Sequence, residues 1–194
     1  LVKEADIVVE SFEPRVMPSL GLEYNTLSEI NPRLVMTSIS NFGQSGPYRD
    51  YKASEIVEYA LSGLMKITGE SDRPPLKEGL DVAQLTAGQN AVPPMLAALY
   101  SANLTGKGQY VDISVMDYCT GLLEFQIGQY VANGYVTSRI GNLNEKGHPH
   151  GPFPCRDGYV AFTIAYGSPE VLVEMTGIPE LNDPTLATNY DRLQ

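Results

Sequence analysis

The chain has 194 residues, 43% of them hydrophobic and 19% charged, which is enough to bury a sizeable core. Thirteen basic against twenty-three acidic residues leave a net charge of −10 and argue against a general nucleic-acid binder, because neutralising phosphates takes clustered Lys and Arg. A small anionic ligand stays open, since it needs only a local basic pocket.

No apolar run approaches the roughly 20 residues of a membrane span and no signal peptide opens the chain, so the expected location is the cytoplasm, with no membrane partner. The abrupt opening "LVKEADIVVE" and the ending "NYDRLQ" suggest an internal piece of a longer protein. Cys119 and Cys155 are expected to be reduced and buried.

In chain order, Ile7–Val9 reads as a short buried strand, followed by a loop with a helical turn over "SFEPRVMPSLGL". A short helix over 25–30 stops at Asn31-Pro32, and "LVMTSIS" (34–40) is a second strand ending in the Gly/Pro loop "NFGQSGPYRD". This alternation predicts an α/β fold with parallel strands. Ligands in such sheets bind beyond the carboxyl ends of the strands, which directs attention to the loops at 11–19 and 41–52.

Residues 53–67 carry a helical period through Ile56, Val57, Ala60, Leu64 and Ile67. A second helix begins near Gln84, with Leu85, Gly88, Val92, Met95, Leu96 and Leu99 on one face. Pro93-Pro94 predicts a kink or restart in it. "YVDISV" alternates like a half-buried strand, and "MDYCTGLLEFQIGQYV" reads as one helix with Asp117 near its start. Residues 134–158 form a Gly/Pro/Asn-rich stretch without period. It is read as a linker between a domain over 1–133 and part of a second over 159–194. A strand over 159–165 and a short helix over 169–176 open that second part.

Residue types alone leave the chemistry open. His148 and His150 form an H-x-H with only Cys155 nearby, so no metal is expected. "GQSGP" places Pro47 where a nucleophile elbow needs glycine, and the glycines of "NFGQSGP" are too sparse to cradle a phosphate. Asp117 is either a nucleophile at a helix start or an N-cap, and the N-cap is the expectation. Lys52 and Glu55 are either a surface ion pair or a ligand-facing one.

The stretch from "ADIVVESFEPRVMPSLGLEYNTLSEINPRLVMTSISNFGQSGP" through "LSGLMKITGESDRPPLKEGLDVAQLTAG", "MLAALYSANLTGKGQYVDISVMD" and "LNDPTLATNYDR" resembles the class III CoA-transferases. That family includes formyl-CoA transferase, carnitine CoA-transferase and bile-acid CoA-transferases. The first block also resembles the related 2-methylacyl-CoA racemases. The resemblance implies a Rossmann-like large domain, a smaller second α/β domain, and homodimers interlocked like links. It also implies acyl-CoA and carboxylic acids as substrates, with coenzyme A carried and no metal. An aspartate attacks the acyl-CoA thioester to give a mixed anhydride, and the released thiolate then forms an aspartyl-CoA thioester.

Carried over by position, Ser11 and Phe12 match a CoA-contacting Asn-Phe pair, and Glu13 lies in the same contact segment. Ser19 stands where many members have an arginine near the CoA phosphates, and Arg15 is expected to supply that cation from one turn away. Lys52, Ala53, Ser54 and Glu55 match the stretch lining the thiol end. Glu55 fixes the register, because the family nucleophile follows that acid by the separation that leads here to Gln84. Asp117 matches an acid that the family does not use as nucleophile.

A carboxamide cannot form the anhydride, although it can line an acyl-CoA pocket. The racemase pairing fares no better, since its histidine matches Ser54 and its aspartate matches Gln84. Three readings follow, in this order. The chain is the non-nucleophilic half of a heteromeric or fused transferase, or an inactive acyl-CoA-binding protein, or an enzyme in which Asp81 has taken over.

Overall fold

The alternating apolar runs build a parallel sheet in a computed structural model, which describes residues 1–142, 150–163 and 169–186. Strands β1 (Ile7–Glu10), β2 (Val35–Ser40) and β3 (Tyr110–Ser114) lie in the order β1-β2-β3, all parallel. Ile7 faces Val35 across the first pair, and Met36 faces Tyr110 across the second. The central strand is buried on both faces, as parallel strands are. Val35 packs with Ala98 and Ala102 on one side, while Leu34 and Met36 pack with Met17 and Leu27 on the other. Leu34 and Val35 are 0% exposed, and each such side chain contributes roughly 1.5–3 kcal/mol on burial. The second side is covered by α1 (Val16–Ser19) and α2 (Tyr24–Ile30).

The long helix α5 (Val82–Thr105) runs through Pro93 and Pro94 without interruption, where the sequence predicts a kink or restart. Each proline withholds an N–H from the carbonyl four residues back. Those carbonyls belong to Gln89 and Asn90, which are exposed and can be hydrated instead. The buried face agrees with the predicted one only in part: Met95 and Leu99 pack, half-buried, against the cluster around Val35. Ala83, Ala87, Ala91, Ala98 and Ala102 face the interior, whereas Leu85, Val92 and Leu96 are exposed. Small side chains let the helix backbone approach β2 and β3 closely.

The period over 53–67 resolves into α3 (Glu55–Leu61) and α4 (Leu64–Ile67), separated at Gly63, whose φ of +94° ends the first helix. Helix α3 is inverted relative to its sequence pattern. Ile56, Val57, Ala60 and Leu61 are exposed, while Glu55, Glu58, Tyr59 and Ser62 are buried. The single helix expected over "MDYCTGLLEFQIGQYV" is likewise two, α6 (Val115–Gly121) and α7 (Glu124–Asn133). Helix α6 ends at Gly121, a poor helix former, and the following Leu123 turns into a core with Tyr59, Ala83, Ala87, Val115 and Cys119.

These elements belong to one unit, residues 1–68 with 75–137; residues 69–74 and those from 138 onward form another. The second unit holds β4 (His150–Cys155) paired antiparallel with β5 (Gly158–Thr163), and α8 (Pro169–Thr176). A strand therefore lies inside the stretch expected as an irregular linker. Pro152 and Pro154 hid it from the sequence pattern. They sit two apart on one side of a strand that pairs, among the described residues, only with β5, so that no ladder N–H is required of them. Residues 164 and 165 of the expected strand and His148 lie outside the described residues. No helix among the described residues is long and apolar enough to cross a membrane.

Candidate active site

Both strands β1 and β2 end at one place. The loop after β1 turns at once, because the Phe12 N–H donates to the Glu10 carboxylate at 2.8 Å. The loop after β2 is tied back by Asn41, whose Nδ2 donates to the Ala53 carbonyl at 3.2 Å. Between them lies a cleft of about 260 Å³ lined by Ser11, Phe12, Glu13, Arg49, Lys52 and Ala53, among others. Most of the predicted contact residues thus converge. Arg49, which the sequence reading passed over, adds a second cation.

Arg15 and Ser54 do not line that cleft. Arg15 is committed elsewhere: its Nη2 lies 2.8 Å from Asp50 Oδ2 and its Nε donates to Oδ1 at 3.0 Å. This two-point pair holds the Asp50 carboxyl below its ordinary range and occupies the fork that a phosphate would use. Arg15 shares a neighbouring cleft of about 160 Å³ with Arg49 and Lys52. Ser54 occupies the N-cap of α3, exposed and without a side-chain cap bond.

The acid Glu55 does not pair with Lys52. Its Oε1 meets Lys77 Nζ at 2.8 Å, and its Oε2 accepts the backbone N–H of Gln84 at 3.3 Å. Lys77 also donates to the Leu80 carbonyl. Among the described non-glycine residues Leu80 alone has a positive φ, 60°, immediately before α5 begins. Asp81 is the exposed N-cap residue of that helix and makes no side-chain cap bond.

Glu58 is the functional candidate that sequence reasoning missed. It is 0% exposed, and Gln84 Nε2 donates to its two oxygens at 3.2 and 3.5 Å. Burial pushes its carboxyl above the ordinary value, the Gln84 hydrogen bond pulls down, and the Glu55 charge pushes up again. The only sequence signal was a charge three residues after Glu55, on the same helical face. A carboxyl raised in the folded state binds its proton more tightly there than in the unfolded chain. Its contribution to stability is therefore complete below the ordinary value of 4.5 and is lost as pH rises through the folded value. Glu58→Gln should accordingly raise the melting temperature by about 2–4 °C near neutral pH and by much less at about pH 4. Thermal unfolding of both proteins at the two pH values checks this, and an equal change at both would contradict it.

The remaining candidates sort themselves by position. Asp117 is not the N-cap of α6; Ser114 is, and its Oγ accepts the Asp117 N–H at 3.1 Å. Cys119 is buried and its thiol is pushed up to about 11, first by burial and then by Glu58, Glu55 and Glu78, so it is a poor nucleophile. Cys155 is exposed, not buried, because it closes the two-stranded hairpin at the turn. His150 and Cys155 stand at opposite ends of β4, roughly 16 Å apart at 3.3 Å per residue, too far to share a metal. Among the described residues no three His, Cys, Asp or Glu side chains are grouped to hold a metal ion.

Comparison with known proteins identifies the family and the fold. The model of CoA-transferase family III matches residues 1–194. The chain is 34% identical, over 100% of its length, to 49% of a succinate–glutarate CoA-transferase from Agrobacterium fabrum. It is 36% identical, again over 100% of its length, to 50% of an acetyl-CoA:oxalate CoA-transferase from Acetobacter aceti. A crystal structure of a CaiB/BaiF family protein from Brucella suis superimposes with a TM-score of 0.81 at 35% identity, covering 99% of this chain and 51% of that one. The chain thus spans about half the length of the relatives it matches.

Proposed function

The chain belongs to CoA-transferase family III, and from that premise we propose that it is the CoA-binding part of an enzyme that moves coenzyme A between carboxylic acids. The observation that carries this reading is the convergence of the β1 and β2 loops on a cleft with two cations, Arg49 and Lys52. Coenzyme A brings phosphates to such a site and an apolar-to-polar pantetheine arm, which the exposed ring of Phe12 can cover. The substrates are acyl-CoA and free carboxylic acids, and no metal takes part.

Residue 84 stands at the family's nucleophile position, and glutamine there forms no acyl anhydride. Our first reading is therefore a chain that binds the CoA thioester while the working aspartate belongs to a related chain or a further segment. An exposed apolar row on α5, through Leu85, Val92, Leu96 and Leu104, supports a homodimer or heterodimer, interlocked as the family resemblance implies. The alternative is an acyl-CoA-binding protein without transferase activity. The buried carboxylate at Gln84 favours it over a rescued enzyme, because a neutral donor suits that setting better than a second acid. Takeover by Asp81 ranks third. Its place as exposed N-cap leaves it one turn from residue 84, and a misplacement of about 1 Å can already cost 100-fold in rate. The 2-methylacyl-CoA racemase reading lacks both acid–base groups, with Ser54 and Gln84 in their places.

Calorimetric titration with coenzyme A tests the proposal. Micromolar binding that Lys52→Ala weakens supports it, and absence of binding to the full chain would contradict it.

A further inference from the structure

Residue 84 is held at two atoms by one face of α3. Its backbone N–H goes to Glu55 and its side-chain Nε2 to Glu58. The two acids are not equivalent. Glu55 is matched by Lys77, whereas Glu58 has no ion-pair partner among the described residues and is satisfied by the Gln84 amide. A carboxylate only accepts, so an ionised Glu58 can face the NH2 end of the amide and not its carbonyl. Gln84 is exposed while Glu58 is fully buried, which leaves the carbonyl oxygen as the atom offered outward.

We propose that Glu58 is a positioning residue of this site: it anchors the Gln84 carboxamide through Nε2, turns its carbonyl outward and keeps the local negative charge on α3. The inference rests on the reading of residue 84 as part of an acyl-CoA site and names what that site prefers. An outward carbonyl accepts from a thiol or a pantetheine N–H and disfavours a free carboxylate or a developing oxyanion. It also explains why position 84 holds no acid. Aspartate there would set a second carboxylate beside an unpaired one, and one of the two would stay protonated. The other titratable groups around Glu58 do not relieve this. Glu55 adds negative charge, Lys77 is taken by Glu55, and the raised Cys119 thiol is neutral.

Two measurements on the full chain test it. In nitrogen-15 spectra the Gln84 side-chain NH2 signals should move with pH in the wild type and lose that dependence in Glu58→Gln. Unchanged behaviour in the variant would overturn the proposal. In the second, Gln84→Asp and Gln84→Asp/Glu58→Gln are incubated with an acyl-CoA, and the adduct on residue 84 is followed by mass spectrometry across pH. The double variant should form it at least about 10-fold faster near neutral pH, the factor that one pKa unit makes. Equal rates with equal pH profiles would overturn the proposal. Absence of an adduct in both would count against the acyl-CoA reading of residue 84, while the NH2 signals would still decide the role of Glu58.

Discussion

Lys77→Met is expected to destabilise the unit that holds α3 and α5 by about 3 kcal/mol, the cost of leaving a buried charge without its partner. Lys77 and Glu55 have side-chain exposures of only 23% and 6%, so solvent replaces little of the lost pairing. Glu58 lies one turn on, and without the ammonium two buried acids would face each other. Lys77 further donates to the carbonyl of Leu80, the residue with positive φ, so the same substitution loosens the entry to α5 on which residue 84 sits. Urea denaturation of Lys77→Met and of Lys77→Met/Glu55→Gln separates the causes. Most of the loss should return in the double variant, which removes the orphaned charge. A single variant within about 0.5 kcal/mol of wild type would show the pair to be no stronger than a surface ion pair.

The second large effect is on binding. Arg49→Ala/Lys52→Ala is expected to weaken coenzyme A binding by about 100-fold, from two charge-assisted contacts each worth roughly 1.5 kcal/mol. Both side chains line the cleft after β1 and β2. Arg15→Ala, by contrast, should cost less than about 3-fold, because its guanidinium already serves Asp50 and that exposed pair is screened by salt. Titration calorimetry of the three proteins at two salt concentrations decides it. A larger loss from Arg15→Ala would restore that residue as the phosphate contact.

Much of the architecture was legible because its signals are local. The runs at 7–9 and 34–40 have the composition of parallel strands, and the turn at Asn31-Pro32 ends α2 where expected, but only the second run is buried: Ile7 and Val8 are half-buried and Val9 is exposed. The cleft was legible through position, since loops after parallel strands gather at one edge. What failed was the assignment of faces. On α3 the aliphatic residues Ile56, Val57 and Leu61 point outward and the acids Glu55 and Glu58 inward beside Tyr59, the reverse of an ordinary amphipathic helix. Pattern alone could not find that, because the acids are stabilised by Lys77 and Gln84, which come 22 and 26 residues later. On α5 alanines form the buried stripe, and alanine carries too weak a hydrophobic signal to outvote Leu85 and Leu96. The partner of Glu55 was misjudged for the same reason: Lys52 is near in sequence, and Lys77 is near in space.

Whether this chain holds a CoA thioester beside a residue 84 that takes no acyl group is decided by mass spectrometry of the full chain after incubation with an acyl-CoA and hydroxylamine trapping. Bound coenzyme A and no covalent adduct on the segment from Asp81 to Asn90 are expected. An adduct on Asp81, or anywhere else in that segment, would overturn this reading of residue 84.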